Sequence, residues 1–354
     1  MRKLIVIGGT IILMLAMTIS GCSPEPTSPI PKPASPAAKL VFVTQPSHAA
    51  SGLPFPSQPL VAVQNERGEI VSNYMGYVDL AINTGTSGAS IFGGVRLVVK
   101  EGMVEFKDLF IDKAGENYTL KATSRDLTSA ISDTFKITSG EAASLKFAVQ
   151  PTGAVAGTTL RTQPEIVVED AFGNRIPDFK GPVTVQVTPI ASLITPVLHG
   201  TTKVEAIDGV ARFTDLSIQR AFPYFTLTAT SQGLTSVVSR EFRISPAEAK
   251  VLEITVPPEG AVAGQLFEQQ PKVAIVDVYG NVVASSTDPI TLAIMPGSGI
   301  DGAVLSGETT VGAVDGLAIF WDLSIDLAGE GYMLTAICGQ LTPDISNIFD
   351  VINP

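Results

Sequence analysis

The chain is poor in the residues from which most metal sites and catalytic centres are built. Two cysteines, two histidines and one tryptophan are all that 354 residues hold of these types. That leaves too few ligands for a Cys/His zinc centre and little for histidine-based catalysis. Positive charge is also scarce. Lys and Arg number 23 against 34 Asp and Glu, a net charge of −11. Nucleic acid is excluded as a partner, because its phosphates demand a basic excess. Charged residues make up only 16% and hydrophobic ones 45%, so the acidity is not that of a disordered tail. What is abundant is Gly (32) and Pro (25), the composition of short strands joined by many turns.

The N-terminus assigns the compartment. Arg2 and Lys3 form a basic start, and the 16 residues from Leu4 to Ile19 carry no charge. A span would need about 20. Small residues follow in Ile19-Ser20-Gly21-Cys22. The whole reads as an export signal, and its last four residues resemble the bacterial lipobox. That resemblance implies that Cys22 becomes the lipid-modified N-terminus, so the protein is exported and anchored to the outer face of a bacterial membrane. A plain signal peptide or an anchor helix is the alternative. Loss of Arg2 and Lys3 with the signal (residues 1–21) takes the net charge to −13. Residues 22–37 form a Pro/Ser-rich tether; six of the fourteen residues 23–36 are Pro. Fixed φ and missing donors make this a polyproline-like spacer without a core.

The remainder repeats with a period of 105 to 107 residues. Gln58-Pro59, Gln163-Pro164 and Gln270-Pro271 correspond, as do Gly68, Gly173 and Gly280, and Asp108-Leu109, Asp215-Leu216 and Asp322-Leu323. Phe135, Phe242 and Phe349 close the copies. Three domains follow, at 38–139, 141–245 and 247–353, each long enough for its own core.

The pattern within each copy is β. Val183, Val185 and Val187 alternate with Thr184, Gln186 and Thr188, which places the valines on one face. Phe172-Gly173-Asn174 and Tyr279-Gly280-Asn281 read as tight hairpin turns, where Gly and Asn tolerate positive φ. About seven short strands per copy predict an all-β fold of three two-sheet sandwiches. Tyr118 and Tyr332 open the next-to-last strand, the place of the tyrosine corner in immunoglobulin-like domains. Copy two has Phe225 there, and the adjacent Tyr224 points the other way.

Three motifs carry a family resemblance. They are Asp-x-x-Gly-Asn (Asp170–Asn174, Asp277–Asn281), Asp-Gly-x-Ala-x-Phe (Asp208–Phe213, Asp315–Phe320) and Ala-Gly (Ala114-Gly115, Ala328-Gly329). The unit resembles the bacterial immunoglobulin-like repeats of invasin/intimin type over about 315 residues. Copy one departs at Asn65-Glu66-Arg67-Gly68-Glu69, and copy two at Ala221-Phe222. These are motifs of fold, not of ligand. The resemblance implies surface rods and adhesin stalks without naming a partner.

Candidate chemistry is sparse. Gly297–Gly302 matches G-x-G-x-x-G, but the residues after it read as strand and turn rather than the helix a dinucleotide needs. His199 aligns with Phe92 and Ser306 in the other copies, and His48 lies in a turn. The turn acids Asp170, Asp208, Asp215, Asp277, Asp315 and Asp322 are scattered, whereas calcium needs six to eight converging oxygens. They read as turn residues; calcium stays open as an alternative. No catalytic residue, metal site or cofactor is assigned, and the protein is read as non-enzymatic.

The third copy differs on its surface. With Phe320 in the core, alternation turns Ile319 and Trp321 outward, where copy one has Glu105 and Lys107 and copy two Arg212 and Thr214. Met333 and Ile337 likewise replace threonines on the strand that holds Tyr332. Ile319, Trp321, Met333 and Ile337 are the candidate binding face, since exposed apolar patches mark contact sites. The expected partners are the membrane, through the lipid, and a surface protein or polysaccharide. The function read from this is a rod for adhesion, spacing or envelope assembly; a glycan-binding module acting through the third domain is the alternative.

Overall fold

The computed structural model describes residues 36–188 and 196–354. The export signal, Cys22 and most of the tether lie outside them. The described chain forms three immunoglobulin-like β-sandwiches in tandem. Their buried side chains fall into three clusters with no member in common. One runs from Leu40 to Ile137, one from Leu145 to Ile244 and one from Leu252 to Val351.

Each sandwich has the same two-layer plan. In the second domain, Ser144–Val149, Glu165–Glu169 and Val210–Arg212 form one antiparallel sheet. Lys203–Glu205, Pro182–Val187, Leu227–Thr230 and Val237–Val238 form the facing one. The short strand Ala154–Val155 pairs in parallel with Phe242–Ser245. Alternation sets which side is buried: Val183 and Val185 are in the core, while Thr184 between them is only half-buried. In the third domain Ile290 and Leu292 are buried in the same way.

Two repeated motifs prove to be halves of one device. The Gln163 side chain donates to the Leu160 and Leu216 carbonyls and accepts the Leu216 N–H. Gln58 does the same with Phe55 and Leu109, and Gln270 with Phe267 and Leu323. The Gln of each Gln-Pro therefore ties down the Leu of each Asp-Leu, 51 or 53 residues later. An amide suits this position because it both donates and accepts.

The tyrosine corners form where the sequence places them. Tyr118 and Tyr332 are fully buried and donate to the carbonyls of Lys113 and Leu327, each at 2.9 Å. Phe225 is buried without such a bond, and Tyr224 is exposed. The Asp208-Gly209 and Asp315-Gly316 turns hold both residues at positive φ, as a two-residue I′ hairpin requires.

Candidate functional site

The Asp-x-x-Gly-Asn turns are more than hairpins. Gly173 and Gly280 take positive φ as expected, but Asn174 and Asn281 do not. Their side chains are buried and point out of their own domain into the end of the preceding one. The Asn174 amide donates to Ser51 Oγ and to the Asp112 carbonyl, both at 2.8 Å. Its Oδ1 accepts the Ala114 N–H at 3.0 Å. Lys113 Nζ reaches the Phe172 carbonyl at 2.6 Å. At the next junction Asn281 donates to the Gln219 carbonyl and accepts from the Ala221 N–H, both at 2.8 Å. Asp112, Lys113 and Ala114 align with Gln219, Arg220 and Ala221, whereas Ser51 aligns with Ala156, which has no hydroxyl to accept the amide.

An acid holds each turn in shape. Asp170 Oδ1 accepts the N–H groups of Phe172 and Asn174, and Oδ2 accepts the N–H of Gly140 in the inter-domain link. Asp277 does the same with Tyr279, Asn281 and Ala247. Burial alone would raise both carboxyls. Hydrogen bonds from the Asn side chain and from those backbone groups outweigh it, and both stay below the ordinary 3.8.

An aromatic ring completes each junction. Phe172 lies 6.2 Å from Phe110, and it covers Gly52 so closely that a Cβ there would collide with the ring. Tyr279 covers Gly157 in the same manner. Both glycines hold φ near +75°, at 75° and 77°. Turn and socket lie at opposite ends of each sandwich, so the contacts join the domains end to end.

The first domain explains its own departure from the motif. Asn65 Oδ1 accepts the N–H groups of Arg67 and Glu69, as Asp170 does in its turn. Its Nδ2, however, is spent on Glu69 Oε2 at 2.8 Å. Residues 66 to 70 are exposed. Among the described residues no other domain packs on this turn, and its exposed tip carries Glu66, Arg67 and Glu69.

The apolar residues of the third domain do not form one face. Ile319 ends the strand Leu317–Ile319, which belongs to the sheet with Val251–Val256 and Lys272–Val276. Ile337 ends Leu334–Ile337 in the facing sheet, and Met333 immediately precedes that strand. Phe320 from one sheet and Leu334 and Ala336 from the other meet in the same core. Their alternating neighbours therefore emerge on opposite sides of the sandwich, and the four-residue face of the sequence reading divides into two pairs. Trp321 is 73% exposed, Ile319 and Met333 are half-buried, and Ile337 is exposed. In the second domain the position of Ile319 is Arg212, paired with Glu165 at 3.3 Å. In the first, Lys107 pairs with Glu105 at 3.2 Å. The third domain has replaced ion-paired surface with Ile and Trp.

The remaining candidates sit apart. Among the described residues no three of His, Cys, Asp and Glu come together to hold a metal. His48 Nδ1 accepts the Lys136 N–H at 2.8 Å, a structural contact. Gly297–Gly302 forms a loop without a helix, in which Gly299 packs against the Tyr332 ring. Cys338 is buried with a free thiol, and burial, then Asp288, pushes its pKa up. Sequence reasoning missed Ser132, Ser239 and Ser346. Each accepts the N–H of Leu120, Leu227 or Leu334 at 2.9 Å. Their 107-residue spacing was the available signal.

No protein-family model matches the chain, and no curated protein matches it. Among solved structures, the Escherichia coli adhesin FdeC is similar over 89% of this chain and 98% of its own, at 14% identity and TM-score 0.36. Invasin, a bacterial integrin-binding protein, is similar over 88% of this chain and 60% of its own, at 14% identity and TM-score 0.32. A Parabacteroides merdae β-glucuronidase is similar over 59% of this chain and 24% of its own, at 14% identity and TM-score 0.23. At these identities and scores none of them transfers a partner or an activity to this chain.

Proposed function

We propose that the protein is a non-enzymatic rod, lipid-anchored at the bacterial cell surface, that holds its third domain away from the membrane for adhesion. The observation that carries this reading is the repeated junction. Two turns of one kind, in Asp170–Asn174 and Asp277–Asn281, lock three sandwiches end to end through buried hydrogen bonds. A catalytic domain has no need of such spacing, whereas a stalk does. The contact surface is the side of the third domain that bears Trp321, exposed where the other domains carry charge. Aromatic anchors dominate interfaces. The lone exposed indole also suits stacking on a polysaccharide, which is the second reading.

The test is attachment of cells displaying the full chain to immobilised host-matrix and glycan surfaces. The Ile319→Thr, Trp321→Thr pair should abolish attachment while surface display is unchanged. Cys22→Ala should move the protein out of the detergent-rich phase. Attachment equal to the parent by the paired variant would remove the Trp321 side from the account. Retention of Cys22→Ala in the membrane at the parent's mobility would remove the lipid.

A further inference from the structure

The third domain ends in the same socket that the first two use to receive their successors. Gly264 aligns with Gly52 and Gly157 and holds φ at 75°, against their 75° and 77°. A Cβ at Gly264 would meet nothing within 4 Å, whereas the other two glycines lie under Phe172 and Tyr279. The Ala328 N–H and the Asp326 carbonyl stand where the corresponding groups of Ala114 and Asp112, and of Ala221 and Gln219, bind the Asn side chain. Among the described residues nothing donates to that carbonyl or accepts from that N–H. The local frame is intact: Gly264 N–H donates to the Ile325 carbonyl at 2.8 Å, as Gly157 does to Ile218 at 2.9 Å. The tyrosine corner fixes Leu327 through its carbonyl.

The turn of the first domain and the socket of the third differ in kind. The turn of the first domain is charged and exposed, with Glu66, Arg67 and Glu69 at its tip, as a solvated terminal repeat should be. The surface around the socket of the third domain is apolar. Leu327 stands where Lys113 and Arg220 stand in the filled sockets, Ile352 replaces Thr138 and Ser245, and Leu266 replaces Pro54 and Thr159. All three are exposed. Pro54, Thr138, Thr159 and Arg220 stay exposed at the filled junctions, so these residues flank the socket, and what they add is an apolar rim beside it.

We infer that the Gly264–Leu327–Ala328 socket receives the Asp-x-aromatic-Gly-Asn turn of a further immunoglobulin-like domain. The occupant follows from the chain itself, which fills the same socket twice with that turn and with nothing else. A second copy joined head to tail does not fit. Its first domain offers Asn65 and Glu69 in place of Asp and Asn, and a Glu carboxylate cannot donate to the Asp326 carbonyl. Turns in the second and third domains of another copy are already engaged. The socket thus discriminates against the first domain of a second copy and fits a domain that carries the full turn. This inference is independent of the Trp321 side and of the lipid anchor.

A full-length probe tests it. The combined variant Asn65→Asp, Arg67→Tyr, Glu69→Asn gives the first domain the missing turn. Titrated unlabelled into the isotope-labelled parent chain, it should cause saturable amide shifts at Gly264, Asp326, Leu327 and Ala328. The unmodified chain as titrant should cause none. Gly264→Asn in the labelled partner keeps the left-handed backbone, since Asn tolerates it, but fills the ring's place. It should weaken the apparent affinity at least tenfold while the rest of the spectrum stays that of the parent. Absence of socket shifts up to about 1 mM probe, a free energy of only about −4 kcal/mol, would overturn the inference. Shifts centred on Trp321, or equal shifts with Gly264→Asn, would overturn it as well.

Discussion

Asn174 of the second domain donates its side-chain amide to the hydroxyl of Ser51 in the first, across 123 residues of sequence, at 2.8 Å and out of contact with water. Both side chains are buried in the rod and would be at the surface in a separate domain. The asparagine thus serves two domains, since its amide also donates to both oxygens of Asp170 in its own turn.

Removing that side chain should uncouple the domains without unfolding them. Asn174→Ala leaves the Ala114 N–H without its partner, at a cost of about 1–3 kcal/mol for such a group while the junction stays closed; the Asp112 carbonyl keeps the Ser51 hydroxyl at 2.7 Å. Opening the junction to water relieves it. Calorimetry should therefore show the first domain's transition separating from the second's, with little loss in core enthalpy. One unsplit transition, lowered as a whole, would place the asparagine in a core role instead.

Acid should loosen the same joints. Asp170 and Asp277 have folded pKa values below the ordinary 3.8. A depressed carboxyl contributes stability above its unfolded value, and that contribution fades as pH falls from there through the folded value. The junctions should be constant from neutrality to about pH 5 and weaken below about pH 4. Amide exchange at Gly140 and Ala247, whose N–H groups bind these carboxylates, should rise over that range, after correction for intrinsic rates. Flat protection down to pH 2 would contradict this.

The aligned glycines allow a comparison within one molecule. Gly264→Ala adds only the backbone cost of a left-handed residue, about 1–2 kcal/mol. Gly157→Ala adds the same cost and also displaces the Tyr279 ring. The second variant should be the more destabilising by chemical denaturation, and it alone should raise the accessibility of Tyr279.

Trp321, the only tryptophan, is 73% exposed. Its fluorescence should lie at long wavelength and be quenched readily by iodide. Ile319→Thr with Trp321→Thr should alter stability by within about 0.5 kcal/mol per site. A blue-shifted, protected indole would place it in a contact.

Much of this fold is legible in the sequence because the repeat states it three times. Val183 and Val185, Phe320 and the two tyrosine corners lie where alternation and register put them, since period two leaves one choice once a core residue is fixed. The junction was visible as Asp-x-x-Gly-Asn but not as a junction. A turn that needs Gly at positive φ explains Gly173 fully, and nothing local shows that Asn174 serves another domain. The clue was the first copy, which keeps Gly68 and loses the Asn. The split of Ile319 and Trp321 from Met333 and Ile337 was hidden for a related reason. Alternation gives inside and outside, but only strand pairing tells which of two outsides a residue occupies.

The central claim is that Asn174 and Asn281 hold three sandwiches as one extended body. Small-angle X-ray scattering on the chain tests it most directly. The parent should scatter as a single elongated particle. The Asn174→Ala, Asn281→Ala variant should give a shorter, broader distance distribution while its circular dichroism is unchanged. Identical scattering from the two would contradict the claim.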